Sequence, residues 1–275
     1  QINVLLGGII ASMLGVGKIS LLYYSDRLME FPLGLFGIAL ATVTLPYLSR
    51  QFASESHDEF AATLDWSMRL VTLIAVPAAV GLIVLADPLV ATIFYGGAFT
   101  EQDVALTSLA LQAFSIGLVG FSFVKILAPA YFSREDTKTP VKIGLIALGV
   151  NFVLSVILAW YLTSIEFAGS HAGLALAISV AAILNAWLLY KGLRRDGVVR
   201  HGPGWLALLL RIVVANGAMC VVLWWLHEPT AWWLGATISD RVFALGLQVV
   251  TAAATYFVVL LLLGMRISQF TMRAH

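Results

Sequence analysis

Long apolar runs, separated by short polar or Gly/Pro-containing breaks, fill the chain. They lie near residues 2–17, 21–49, 66–86, 104–132, 140–162, 172–191, 205–226 and 241–264. A helix crossing a hydrocarbon core of about 30 Å needs roughly 20 mostly apolar residues. The bilayer offers no water to satisfy stray backbone groups, so spanning segments of this kind must be helical. The pattern therefore predicts an all-α, polytopic membrane helix bundle with eight transmembrane helices. The first run, Ile2 to Val16, falls short of a full span, and Gln1 is not an initiator. No basic region precedes that run as in a cleavable signal peptide, and an N-terminal part is expected ahead of it.

Helix starts carry chemical marks. Ser56 with Glu59 and Thr100 with Asp103 have capping-box spacing, in which each side chain satisfies an orphan backbone donor. Thr139 before Pro140 reads as N-cap then first helical residue, and Ser239 with Asp240 opens the last span. Asp87 to Phe99 is too short and too broken by Pro88 and Gly96-Gly97 to span, so it is expected at the outer interface. Trp160, Tyr161, Trp205, Trp224, Trp225, Trp232 and Trp233 fall near span ends, where amphipathic rings anchor at headgroup level. Gly173, Ala177 and Ala181, continued by Asn185, form a small-residue stripe suited to close helix packing.

Composition agrees: 60% of the 275 residues are hydrophobic and 11% charged, against about 25% charged in ordinary soluble domains. A formal charge of +1 leaves no global field for nucleic acid. Placement of charge says more. If every run crosses once, one side receives Arg50, Arg69, Arg134, Lys138, Lys142, Lys191, Arg194, Arg195, Arg200, Arg211, Arg266 and Arg273, and the other only Lys18 and Arg241. By the positive-inside rule this segregation supports eight spans and a cytoplasmic C-terminus. The single cysteine, Cys220, excludes an internal disulfide.

Arg27 and Lys125 remain inside the membrane. Arg27 belongs to Tyr23-Tyr24-Ser25-Asp26-Arg27-Leu28-Met29-Glu30-Phe31-Pro32, where three charges enter an otherwise apolar span. A charge at mid-bilayer costs about 2.5–3.5 kcal/mol on insertion scales. Asp26 and Glu30 stand one turn apart, and Arg27 is three residues from Glu30 and able to pair with it. Pro32 removes a helical hydrogen bond, so a hinge-like kink is expected there. Two readings stay open: the charges merely neutralise each other, or Arg27 faces an aqueous cavity where its planar fork grips phosphate oxygens, with Asp26 and Glu30 tuning it or coupling ions. Lys125, about 13 Å from the helix end at Arg134, either snorkels to inner headgroups or serves the cavity. Gln112, Asn151, Asn185 and Asn216 read as interhelical hydrogen bonds. The five histidines are scattered, with no metal-holding pair, and no nucleophile elbow or P-loop occurs. No catalytic residue, metal or cofactor is expected.

Tyr23 to Pro32, continued by Leu45-Pro46 and Ser49-Arg50, resembles the MurJ (MviN) family of bacterial lipid II flippases, within the multidrug/oligosaccharidyl-lipid/polysaccharide exporter superfamily. Lys125-Ile-Leu-Ala-Pro-Ala-Tyr-Phe-Ser-Arg-Glu-Asp-Thr-Lys-Thr-Pro140 is similar to the same family at a second place. The resemblance implies two six-helix lobes plus two extra helices. Residues 1–195 would then be the second lobe and 196–275 the extra pair bordering a groove for a polyprenyl tail. It implies that Arg27 binds the diphosphate of lipid II, the first lobe being a partner outside this chain, and that alternating access moves the headgroup across the bacterial inner membrane. A coupling ion or the membrane potential could drive it.

Other readings are an exporter of another lipid-linked glycan, or of drugs exchanged for sodium or protons through acidic groups such as Asp26 and Glu30. A membrane glycosyltransferase or scaffold is a further one, with Asp87, Glu101 and Asp103 as its outer-side acidic cluster, although capping accounts for two of these.

Overall fold

A computed structural model describes residues 17–200 and 202–265. Among them every regular element is helical. In chain order these are α1 (Lys18–Pro32), a π-helical stretch (Leu33–Ile38), α2 (Ala39–Ala53), α3 (His57–Val84), α4 (Ala86–Phe94) and α5 (Glu101–Phe132), followed by α6 (Lys138–Ser164), α7 (Ala172–Arg195), α8 (Trp205–Trp225), α9 (Thr230–Gly235) and α10 (Ile238–Leu262). Six of them, α3, α5, α6, α7, α8 and α10, are long and apolar enough to cross a membrane. They coincide with six expected spans. The expected run 21–49 is continuous helix divided by the π stretch into two 15-residue halves, and the expected span 2–17 lies outside the described residues, so the six apolar helices are what the structure supports.

The caps follow local chemistry with three corrections. Thr100 and Asp103 form the expected box, the Asp103 N–H donating to Thr100 Oγ1 and the Thr100 N–H to Asp103 Oδ2. Ser56 is an N-cap position, but its side chain caps nothing there and is engaged by Ser54 Oγ instead. α6 begins two residues before Pro140, and the Thr139 N–H donates to Asp136 Oδ1 at 3.0 Å. Hydrogen bonds from Thr139 hold the Asp136 carboxyl below its usual range. The last span starts from Thr237, whose hydroxyl accepts from the Asp240 N–H.

The architecture is built around α5 and α7. Close approach is possible because two glycines of α5 face α7 backbone: a Cβ on Gly117 would lie 2.6 Å from Ser179 Cα, and one on Gly120 2.7 Å from Ile183 N. Ser179 Oγ donates across the crossing to the Ala113 and Phe114 carbonyls. The expected small stripe is a second seam, where Gly173 meets Leu158 and Leu162 of α6. Without a hydrophobic driving force between helices in lipid, such seams carry the packing.

Two apolar clusters fill the ends of this scaffold. One joins Leu48, Leu64, Met68, Leu127, Tyr131 and Leu189; the other joins Met29, Val90, Leu111, Phe114, Leu118 and Trp233. α8 and α10 pack on each other and against α3 through Leu73, Ile212, Met219 and Leu260, and Tyr256 Oη donates to the Leu73 carbonyl at 2.8 Å. Trp160, Trp224 and Trp225 are strongly exposed, as anchors would be, whereas Trp233 is buried in the core.

Gly120→Val should lower the thermal unfolding temperature of the purified protein in detergent, overpacking costing about 1–3 kcal/mol. Gly217→Ala, where nothing lies within 4 Å, should be neutral or stabilise by up to about 1 kcal/mol.

Candidate functional site

α1 is divided lengthwise. Leu21, Ser25 and Met29 are buried, while Ser20, Tyr23, Arg27, Glu30 and Phe31 form an exposed stripe. The buried edge is pinned by Ser25 Oγ, which donates to the carbonyls of Leu21 and of Thr107 on α5, each at 2.8 Å. Tyr24 stacks on Phe94 with ring centroids 4.8 Å apart and meets Phe99 edge-on.

This wedge turns Arg27 outward. Its Nη1 donates to Glu30 Oε2 at 2.6 Å, and the guanidinium lies 4.9 Å from the Tyr23 ring centroid. The side chains of Arg27 and Glu30 are 57% and 47% exposed. The pair is therefore preformed on an open face, with Tyr23 as a second partner of the guanidinium. Asp26 is half-buried beside it. Pro32 ends α1, the Leu33 N–H reaches back to the Glu30 carbonyl, and the helix then widens into the π stretch. Glu30 thus stands at the point where helix geometry changes.

Lys125 is elsewhere. It lines a cavity of about 690 Å³ between α5, α6 and α7 together with Asn151 and Asn185. The structure brings Arg27, Asp26 and Glu30 together on one helix face but gathers Lys125 with two amides expected only as interhelical ties. Gln112 makes such a tie, donating to the Ile83 carbonyl at 3.3 Å.

Two polar assemblies escaped the sequence reading. Arg69 pairs with Asp65 at 2.8 Å, donates to the Gly202 and Pro203 carbonyls, and stacks on Trp205, whose indole N–H donates to Asp65 Oδ1 at 2.6 Å. This ties the linker before α8 to α3. The Asp65/Arg69 spacing of four residues was a readable signal for the ion pair alone. Arg241, expected in a loop-side position, is 6% exposed. It donates to the Ala91, Tyr95 and Leu234 carbonyls and stacks on the Tyr95 ring. A cation at the C-terminal end of α4 meets the negative pole of that helix.

A bundle of long apolar helices presenting a charged, half-compensated face defines a multi-pass helical membrane protein. The sequence pattern of the family described as "Lipid II flippase MurJ" matches residues 1–243, and the chain belongs to that family. It is 46% identical over 269 residues to the probable lipid II flippase MurJ of Vibrio cholerae serotype O1, covering 98% of this chain and 50% of the relative. It is 43% identical to the probable lipid II flippase MurJ of Haemophilus influenzae, over 97% of this chain and 52% of the relative. To the lipid II flippase MurJ of Burkholderia cenocepacia it is 38% identical, over 100% and 52%. The chain thus spans about half the length of the curated relatives it matches. A solved structure of "Lipid II flippase MurJ, inward closed conformation" superposes with a TM-score of 0.76 at 24% identity, covering 94% of this chain and 50% of that chain. That likeness shows the fold. Membership and the apolar helices together make this a multi-pass inner-membrane protein.

Arg241→Met should destabilise the α4–α10 contact by about 1–3 kcal/mol, the cost of leaving buried carbonyls without their donor. Amide exchange in α4 would report it as faster exchange there, with little change in α6.

Proposed function

We propose that the chain forms the second lobe and the terminal helix pair of a lipid II flippase. The lobe covers residues 1–195 and the pair 196–275, eight spans in all, with the C-terminus in the cytoplasm. The alternation of sides draws support from contacts between chain segments assigned to one face: Lys18 Nζ donates to Ser170 Oγ at 2.9 Å, Arg134 pairs with Asp196 at 3.1 Å, and Arg200 with Asp58 at 2.6 Å. Each pair joins residues that the expected topology places on the same face of the membrane.

The observation that carries the reading is the outward-turned Arg27–Glu30 pair on α1. A half-exposed arginine held by Glu30 and Tyr23 can exchange those contacts for the oxygens of a diphosphate. Asp26 and Glu30 tune that hold or take part in ion coupling, and Pro32 with the π stretch gives α1 its hinge. The cargo is lipid II or a similar polyprenyl-diphosphate-linked saccharide. Its tail remains in lipid beside α8 and α10, while two lobes rock about a site at their interface, as in repeat-built transporters. The membrane potential is a sufficient drive in scale, worth about 2.3 kcal/mol per charge per 100 mV.

Arg27→Ala in the complete two-lobe protein should leave expression and folding intact and cut lipid II translocation by about tenfold or more, the order expected when charge-assisted hydrogen bonds to cargo are lost. Translocation in reconstituted vesicles measures it. Full transport by the well-expressed variant would remove Arg27 from the binding role.

A further inference from the structure

A groove of about 440 Å³ follows the seam of α5 and α7, between Met68 of α3 and Trp205 at the start of α8. None of its walls comes from α1. Its floor is the glycine crossing, where Gly120 meets the backbone of Ile183. Ile116 and Phe123 of α5 and Trp187 of α7 line it further. Ile116, Ile183 and Trp187 are exposed, so the groove opens to the surroundings of the bundle, which in a membrane are lipid tails. Any such groove is covered by lipid, and this one carries the means to select it.

The chemistry along α7 is graded toward one end. Ile183, Trp187, Lys191 and Arg194 are spaced four, four and three residues apart and share one face of the helix. Over about 16 Å, at 1.5 Å per residue, the stripe passes from aliphatic to aromatic to cationic. Lys191 Nζ lies 4.9 Å from the Trp187 ring centroid, so an ammonium is held over a wall of the groove. Trp205 is fixed on the other side by Arg69, 5.2 Å from its ring, and by Asp65 Oδ1, which accepts from its indole N–H at 2.6 Å. Three carboxylates at this end of the bundle are in ion pairs, Asp58 with Arg200, Asp65 with Arg69 and Asp196 with Arg134. Among the described residues none pairs with Lys191 or Arg194, and both are exposed. An apolar groove between helices with uncompensated cations at its mouth matches an anionic headgroup and its tail.

We propose that this groove is a binding site for an anionic phospholipid of the leaflet at this end, the cytoplasmic one in the orientation proposed above. One acyl chain lies along Ile183 and Trp187 against Ile116 and Phe123, and the phosphate is met by Lys191 and Arg194. The indole of Trp187 stands between the two regions, apolar toward the chain and in contact with the ammonium toward the phosphate. The bound lipid also braces a joint. Trp205 is a wall of the groove and, through Asp65, ties the start of α8 to α3. The proposal is independent of which cargo the protein carries.

The test titrates phosphatidylglycerol, and separately phosphatidylcholine, into the complete detergent-solubilised protein and follows bound lipid by native mass spectrometry. The unmodified protein should bind phosphatidylglycerol more tightly. Lys191→Gln with Arg194→Gln should weaken phosphatidylglycerol about 25-fold, roughly fivefold for each charge removed, and leave phosphatidylcholine unchanged. Lys138→Gln with Lys142→Gln removes two charges from the same end but outside the groove, and should leave both lipids unchanged. Ile116→Trp, which fills the groove from its open side, should weaken both. Phosphatidylglycerol should raise the unfolding temperature of the unmodified protein and not that of the Lys191/Arg194 variant. Equal affinity of the unmodified protein for the two lipids, undiminished phosphatidylglycerol binding by the Lys191/Arg194 variant, or the same loss in the Lys138/Lys142 variant would overturn the site.

Discussion

The close crossing of α5 and α7 is the contact on which the other placements depend. Lipid tails are as apolar as leucine, so burying leucines between helices gains little in a bilayer, and packing must come from surfaces that fit at short range. Gly117 and Gly120 supply that surface by leaving room for the backbone of Ser179 and Ile183. Once α5 and α7 are locked, α6 docks through Gly173, α3 through the cluster around Met68 and Leu127, and α1 through Ser25. The exposed stripe of α1 is a consequence of that order. Ser25 can be pinned to Thr107 only with Arg27 turned away.

Charge follows the same logic. Asp65, Arg69 and Arg241 find carboxylate, carbonyl and aromatic partners inside the chain, only the Nε of Arg241 lacking one, and they bind elements together. Arg27 is met by Glu30 and Tyr23 of its own helix and stays half exposed, and Lys125 is among the residues lining a cavity. The first group holds the fold, and the second is the one that the proposed flippase reading assigns to an anionic cargo.

Much of the fold was legible because its signals are local. Span positions follow from the length of apolar runs, and the Thr100–Asp103 box from spacing. Pairing of Arg27 with Glu30 follows from helical periodicity. Contacts across the chain were not legible. Arg241 reaches carbonyls about 150 residues away, and a carbonyl acceptor leaves no mark in side-chain identity. Trp233 was expected at the membrane boundary because tryptophan favours it, but α4 and α5 bury it. The cavity that α5, α6 and α7 frame around Lys125, Asn151 and Asn185 likewise has no mark in the sequence. The widened helix after Pro32 is a finer case: proline announced a break, and the six residues that absorb it carry no pattern of their own.

The central claim is that the Arg27 face of α1 lines a water-filled path that lipid II occupies. Single cysteines placed from Tyr23 to Pro32 in the complete protein, with Cys220 replaced, test it most directly through reaction with a water-soluble thiol reagent. The account predicts rapid labelling at positions 23, 27 and 30, protection at 25 and 29, and slowing at 27 when lipid II is added. Uniform inertness along α1, or labelling at 27 indifferent to lipid II, would contradict it.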